Sequence, residues 1–371
     1  LKPDLVCEVS YTEITSDGVM RHPSFEGMRI DKDASSVVQE KEVKTKDVVK
    51  DMKTIKANNN DGVLLSTTDE TLVRDVKGHK IKFTNLNKIY WPELNISKRD
   101  MINYYYQVAP YILPYLKDRP QSLNRFPDGI HGKHFYQKDV TDKVPHWTEQ
   151  YLYHSSDDAT DKHFMVVTNE ADIVLMASMG CIELHPWSSR TSSPDNPDWC
   201  LIDLDPDKNS FDQVIEAAQV TKKVLDEISV PSFCKTSGST GLHIYIPLGA
   251  NYSYEQSKEF ARVIVTLVQK EIPKYTTLER TKSNRHGKMY LDFLQNRPQA
   301  TLAAPYSLRP TKKATVSMPL EWDEVKKGMR PEQFTIANAL ERIKNTGDIF
   351  KPVLGKGINI EKIVDELQAV L

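Results

Sequence analysis

Three short apolar runs, WCLIDLD at 199–205, LHIYIPL at 242–248 and KMYLDFL at 288–294, constrain this chain more than any other feature. Each is too short for an ordinary helix and has the apolar, β-branched and aromatic character of a core strand. Two of them also carry acids. Successive side chains on a strand point to opposite faces, so Asp203 and Asp205 share one face and Cys200, Ile202 and Leu204 the other. Two like charges side by side on a buried strand repel, and a buried carboxylate without a partner is costly. Asp292, set among Tyr290, Leu291, Phe293 and Leu294, has the same problem. Acids arriving from two strands suit a divalent cation with oxygen ligands, as in two-metal phosphoryl transfer. Taken singly, Asp203 and Asp205 also fit a solvated strand end, and Asp292 fits a salt bridge to a nearby arginine.

Between two strand-like runs, PSFCKT and LHIYIPL, lies the loop KTSGSTGLH at 235–243. Its glycines let backbone N–H groups approach an anion, Ser237 and Ser239 add hydroxyl donors, and Lys235 and His243 can neutralise phosphate charge. The lysine precedes the glycines, which excludes a Walker A loop. Arg280, Lys282, Arg285 and Lys288 precede Asp292, and Arg309 stands in APYSLRP. Of these, Arg285 and Arg309 are the expected phosphate cations, because a planar guanidinium makes bidentate contacts. Helical spacing behind Ser210 (SFDQVIEAAQVTKKVLDEI) and in SYEQSKEFARVIVTLVQKEI places helices among the strands, an α/β or α+β pattern.

At roughly 150 residues per domain, 371 residues imply two to three domains. Lys+Arg (49) and Asp+Glu (51) nearly cancel, which excludes a uniformly basic coat, so a nucleic-acid surface must be local. Residues 80–150 are the candidate, with 11 Lys+Arg against 7 Asp+Glu and interleaved aromatics in KIYW, YYYQ and KHFYQK. The four cysteines have no CxxC spacing, so neither a zinc knuckle nor a disulfide framework is expected, and a reducing cytoplasm fits. No apolar run approaches the ~18 residues of a membrane helix. Near the N-terminus, alternation over residues 4–15, the turn Ser16-Asp17-Gly18 and VMRHPSFEGMR read as a hairpin. Residues 1–31 are thus expected to be a separate segment, 32–78 a polar linker and 79–371 the main domain. Starting inside a strand-like run, the chain reads as a fragment of something longer.

In order and spacing, WCLIDLDP, KTSGSTGLHIYIP and YLDFLQN resemble the three motifs of the archaeo-eukaryotic primase superfamily, and more narrowly the polymerase domain of bacterial DNA ligase D. The resemblance covers about residues 80–350, including NLNKIYWPELNISKRDMINYY, LKDRPQSLNRFPDGIHGKHFYQKD and APYSLRP. LVCEVSYTEITSDGVMRHPSFEGMRIDK resembles the end of a ligase OB fold, although no KxDG nucleophile motif occurs in the chain. The resemblance implies an α+β fold with a primase-like core of mixed and antiparallel sheets flanked by helices, after a partial OB-fold segment. It also implies template-dependent nucleotidyl transfer in non-homologous end joining, in the bacterial cytoplasm at the nucleoid, with no membrane partner. The implied partners are 5′-phosphorylated DNA gaps or ends, NTPs or dNTPs, a Ku-type end-binding protein and a ligase domain of the same polypeptide. Asp203, Asp205 and Asp292 would hold two Mn²⁺ or Mg²⁺ ions. Lys235, Ser237, Ser239 and His243 would hold the nucleotide's phosphates, with Arg309 at the far end and Arg285 near template or nucleotide. Lys88 and Lys98 match lysines that grip a 5′-phosphate, and Phe135 and Tyr136 an aromatic pair that stacks on the template. Tyr136 departs from the unhydroxylated ring common there. Two other readings remain open from the residues: a metal-dependent nuclease, against which the phosphate loop argues, and a non-catalytic scaffold that binds DNA ends.

Overall fold

The computed structural model describes residues 7–10, 13–14, 20–21, 23–28, 62–66, 68–154 and 161–363. The chain divides into two compact units, residues 1–53 and 54–371. In the first, Cys7–Ser10 pairs antiparallel with Ser24–Met28, and Glu13–Ile14 with Met20–Arg21. This is the expected hairpin; its turn at Ser16-Asp17-Gly18 lies outside the described residues.

Most of the expected linker, 32–61, also lies outside the described residues, but its remainder is folded. Leu64, Leu65, Leu72, Val73 and Val76 are buried. Strand β1 (Leu72–Val76) pairs antiparallel with β2 (His79–Phe83). Lys77 and Gly78, both at positive φ, make the turn between them. The polar average over residues 31–77 conceals this strand, whose LVRDV run is buried at every position but Asp75.

Helix α1 (Lys98–Leu116) starts at a Ser97 capping box. It packs on helix α2 (Glu170–Ser178) and on a three-stranded sheet of β3 (Gln121–Arg125), β4 (Phe135–Gln137) and β5 (Cys181–Pro186), in the order β4-β3-β5. The second sheet is built from β6 (Trp199–Asp205), β7 (Phe233–Thr236), β8 (Leu242–Pro247), β9 (Thr276–Thr277), β10 (Met289–Asp292) and β11 (Pro319–Leu320). Their order is β9-β10-β6-β8-β7-β11, antiparallel throughout except between β9 and β10.

Strand alternation assigns the two faces of this sheet. On one face Cys200, Ile202, Leu204, Ile244, Ile246 and Leu291 pack against helices α3 (Phe211–Glu227) and α4 (Tyr254–Glu271). Ser210 and Ser253 begin these helices with reciprocal capping boxes to Gln213 and Gln256, satisfying N–H groups that a helix start leaves orphaned. On the other face Trp199, Leu201 and Tyr245 join the core built on α1 and α2. The segment 303–309 connects the two sheets: Ala304 N–H donates to Leu184 C=O of β5 at 2.9 Å, and Ala303 C=O accepts from Lys235 Nζ of β7 at 3.0 Å. The described residues include no helix long and apolar enough to cross a membrane.

Candidate active site

The sheet register brings the candidate residues into one line. Asp203 on β6 lies opposite Asp292 on β10 and His243 on β8, and His243 lies opposite Lys235 on β7. Directly opposite residues on neighbouring strands point to the same face. Asp292, Asp203, His243 and Lys235 therefore form a polar row across four strands. Asp205, two residues beyond Asp203, shares their face.

Charge in this row is unevenly satisfied. Lys235, fully buried, donates to Ser317 Oγ at 2.6 Å and to Ala303 C=O at 3.0 Å, and its Nζ is 2.9 Å from His243 Nδ1. Burial, then the neighbouring Arg309, holds the Lys235 ammonium well below its usual range. Burial and the Lys235 charge do the same to His243. Asp203 Oδ1 lies 3.5 Å from His243 Nε2. Burial, followed by the negative charges of Asp292 and Asp205, pushes the Asp203 carboxyl up to about 8, although Lys235 and Arg309 pull the other way.

Asp205 is paired with Arg285 (Nη1 to Oδ2, 2.7 Å), and that guanidinium also lies 4.6 Å from the centroid of the Tyr290 ring. Asp292 accepts from Leu294 N–H at 2.8 Å and Gln295 Nε2 at 3.0 Å. Among the described residues no group of three or more His, Cys, Asp or Glu side chains is placed to hold a metal ion by itself. The donor set nevertheless fits a hard divalent ion: the acids lie on one face of adjacent strands, and Asp203 is pushed toward its protonated form in the absence of a sufficient counter-charge.

Facing needs are met differently on β5. Glu183 is buried, yet its carboxylate accepts from Arg309 Nε at 2.5 Å and Asn124 Nδ2 at 2.7 Å, with His185 Nε2 at 3.2 Å. Burial alone would raise it; His185, Arg309 and Asn124 outweigh that and hold it down at about 2. Arg309 also donates to Ser237 C=O, so it ties β5 to the loop at 235–243. Glu183, His185 and Asn124 escaped the sequence reading. The signal was available in CIELHP, an acid inside an apolar run like that of Asp292.

In the loop itself, the Ser237 hydroxyl accepts from Ser239 N–H at 3.1 Å and Gly241 N–H at 3.0 Å, bracing the turn from within. Gly238 sits at φ +72°, and a β-carbon there would collide with the Arg309 side chain, so glycine is required on two counts.

The remaining predicted residues lie apart from this row. Lys88 is ion-paired with Asp128 at 2.6 Å. Lys98 is buried with Thr84 C=O at 3.1 Å, and burial, with Lys88 and Arg125 nearby, pushes its ammonium down to about 8. The Lys98 N–H donates to the Lys88 carbonyl at 2.8 Å, which keeps the two lysines adjacent. Phe135 and Tyr136 on β4 are 45% and 55% exposed, unusual for large rings and suited to stacking. Arg125 lies 5.4 Å from the Phe135 ring, and the Tyr136 ring meets His185 edge-on at 6.0 Å.

Residues 97–350 match the family model for the LigD primase-polymerase domain. The chain belongs to the LigD primase-polymerase family. Residues 1–32 match the C-terminal region of ATP-dependent DNA ligases, in agreement with the OB-fold resemblance. The chain is 33% identical over 271 residues to the bifunctional non-homologous end joining protein LigD of Bacillus subtilis, covering 72% of this chain and 43% of that protein. With the multifunctional LigD of Pseudomonas aeruginosa it is 28% identical over 345 residues, covering 92% of this chain and 39% of that one. It thus spans about two fifths of the length of these LigD relatives. The fold is similar to that of the polymerase domain of Mycobacterium tuberculosis ligase D solved in complex with DNA, with a TM-score of 0.70 at 27% identity, over 75% of this chain and 99% of that one. The α+β architecture is accordingly that of a LigD polymerase domain, a nucleotidyltransferase of the primase-polymerase type.

Proposed function

We propose that this chain is a template-directed nucleotidyltransferase that fills gaps and extends DNA ends in non-homologous end joining. The observation that carries the reading is the row Asp292, Asp203, His243 and Lys235 across four strands, with Asp205 on the same face. Asp203, Asp205 and Asp292 would hold divalent ions, Mn²⁺ or Mg²⁺. Bound there, the ions would supply Lewis-acid polarisation of the α-phosphate and make a primer 3′-hydroxyl a better nucleophile. Arg285 pairs with Asp205 Oδ2, so a cation on that carboxylate would share it with an existing ion pair. His243, sandwiched between Lys235 and Asp203, keeps its orientation without solvent and presents a fixed edge to the nucleotide. Arg309, fixed by Glu183, holds the phosphate loop in place.

The adjacent Lys88 and Lys98 would supply the cations for a 5′-phosphate, and the exposed rings of Phe135 and Tyr136, on opposite faces of β4, would stack on bases without sequence preference. A Ku-type end-binding protein and a ligase domain of the same polypeptide are the partners this activity calls for, and the bacterial cytoplasm at the nucleoid is where it acts. Primer extension on a 5′-phosphorylated gap with Mn²⁺ and ribonucleotides tests the assignment. We expect templated incorporation by the wild type and none by Asp203→Ala or Asp292→Ala. Undiminished incorporation by either variant rejects the site. DNA shortening without added nucleotide favours a nuclease, and end binding without any product a scaffold.

A further inference from the structure

The ladder between β6 and β10 stops at the pair Asp203 and Asp292. Continued in register, it would set Leu294 opposite Leu201, but the chain turns away, with Asn296 N–H donating to Phe293 C=O at 3.3 Å. The backbone of Leu201 would then be buried without partners, which a strand does not tolerate. The Asn296 side chain takes the missing strand's place. Its Oδ1 accepts from Leu201 N–H at 2.9 Å, and its Nδ2 donates to Leu201 C=O at 2.7 Å. The same amide accepts from Ser257 Oγ of α4 at 3.0 Å and donates to Phe293 C=O at 2.9 Å, so both its donors and both its lone pairs are used. Asn296 is 4% exposed and Ser257 is fully buried, so these bonds are shielded from bulk solvent.

The turn that this amide pins is the one that holds Asp292. Leu294 N–H and Gln295 Nε2 each take one of its carboxylate oxygens, at 2.8 and 3.0 Å. One end of the turn thus orients Asp292, and the other is fastened to β6 two residues before Asp203. We propose that Asn296 is a positioning residue for the cation site: by standing in for a strand residue on β6, it sets the spacing and orientation of Asp292 against Asp203. The inference rests on the reading of these acids as cation ligands and extends it to a side chain that hydrogen-bonds to neither of them. Asn296 closes the run YLDFLQN, from which the chemistry above draws only on the acid.

Mn²⁺ titration of the full chain, read by electron paramagnetic resonance without DNA or nucleotide, tests it, together with hydrogen exchange at the Leu201 amide. In Asn296→Ala that amide should exchange faster, and Mn²⁺ should bind about tenfold or more weakly to the folded protein, the scale on which residues behind metal ligands act. Ser257→Ala leaves the Leu201 bonds and removes only the one that steadies the amide from α4, so it should weaken Mn²⁺ binding about threefold, the worth of a single hydrogen bond. Binding of a 5′-phosphorylated DNA end, assigned to Lys88 and Lys98, should not change in either variant; an equal loss there marks general damage to the fold and overturns the proposal. A folded Asn296→Ala that exposes the Leu201 amide and still binds Mn²⁺ as the wild type does makes Asn296 structural only and overturns it too. If Asn296→Ala does not fold, unchanged Mn²⁺ affinity in Ser257→Ala decides against the proposal by the same criterion. Mn²⁺ binding that Asp203→Asn abolishes and Asn296→Ala leaves intact overturns this inference alone. Binding that Asp203→Asn also leaves intact overturns the cation-site reading with it.

Discussion

Asp203 on the six-stranded sheet, its side chain 15% exposed, and the buried Glu183 on the three-stranded sheet are both within reach of the Arg309 charge, and their environments push them in opposite directions. Glu183 has Arg309, Asn124 and His185 around it and is held at about 2. Asp203 has Asp292 and Asp205 beside it and is pushed up to about 8. The first is a structural acid whose counter-charges come from the chain. The second is left short of positive charge, the electrostatic imbalance that the proposed cation site calls for. Arg309 serves both, anchoring the loop through Glu183 while partly offsetting the field on Asp203.

The largest effect should come from breaking the completed pair. Glu183→Gln leaves the part-buried Arg309 and the buried Asn124 and His185 with a weakened partner and should cost about 3 kcal/mol in a urea melt. Asp203→Asn should cost no stability, and templated incorporation should nevertheless be lost. Equal destabilisation by the two variants would erase the contrast. Next, Ile202→Ala, on the helix-packed face of the strand that bears Asp203, should cost about 2–5 kcal/mol through its cavity alone. This separates the face that folds the protein from the face that reacts.

The pH dependence sharpens the same contrast with opposite signs. Asp203 binds its proton more tightly folded than unfolded, so without metal it favours the fold at low pH and loses that contribution as pH rises from about 4 to about 8. The melting temperature of Asp203→Asn should therefore gain on the wild type over that range, and added Mn²⁺ should close the gap. Glu183, with its folded value depressed, contributes above its unfolded value of about 4.3 and loses that contribution as pH falls toward 2. Glu183→Gln should thus be closest to the wild type in acid. The smallest effect is expected at Lys98: the advantage of a 5′-phosphate over a 5′-hydroxyl in end binding should fade as pH rises through about 8, where this buried ammonium loses its proton.

Much of this was legible in the residues, for definable reasons. An acid inside a short apolar run has few explanations, so Asp203, Asp205 and Asp292 could be named, and strand alternation placed the first two on one face. Ser210 and its helix followed from capping chemistry. What could not be read were partners distant in the chain. Arg285 ends on Asp205, 80 residues away, and Lys235 is closed off by Ser317, 82 residues away; neither pairing leaves a local pattern. The first strand of the β1–β2 hairpin was hidden because a polar average over 31–77 diluted Leu72 to Val76. Glu183 passed unnoticed beside His185, although its run carried the same signature as that of Asp292.

The most direct test of the account is Mn²⁺ binding to the full chain, followed by electron paramagnetic resonance with and without a ribonucleoside triphosphate. The wild type should bind the ion, more tightly with nucleotide present, and a folded Asp203→Asn variant should lose that binding. Identical stoichiometry and affinity in the two proteins would contradict the claim that these acids are the cation site.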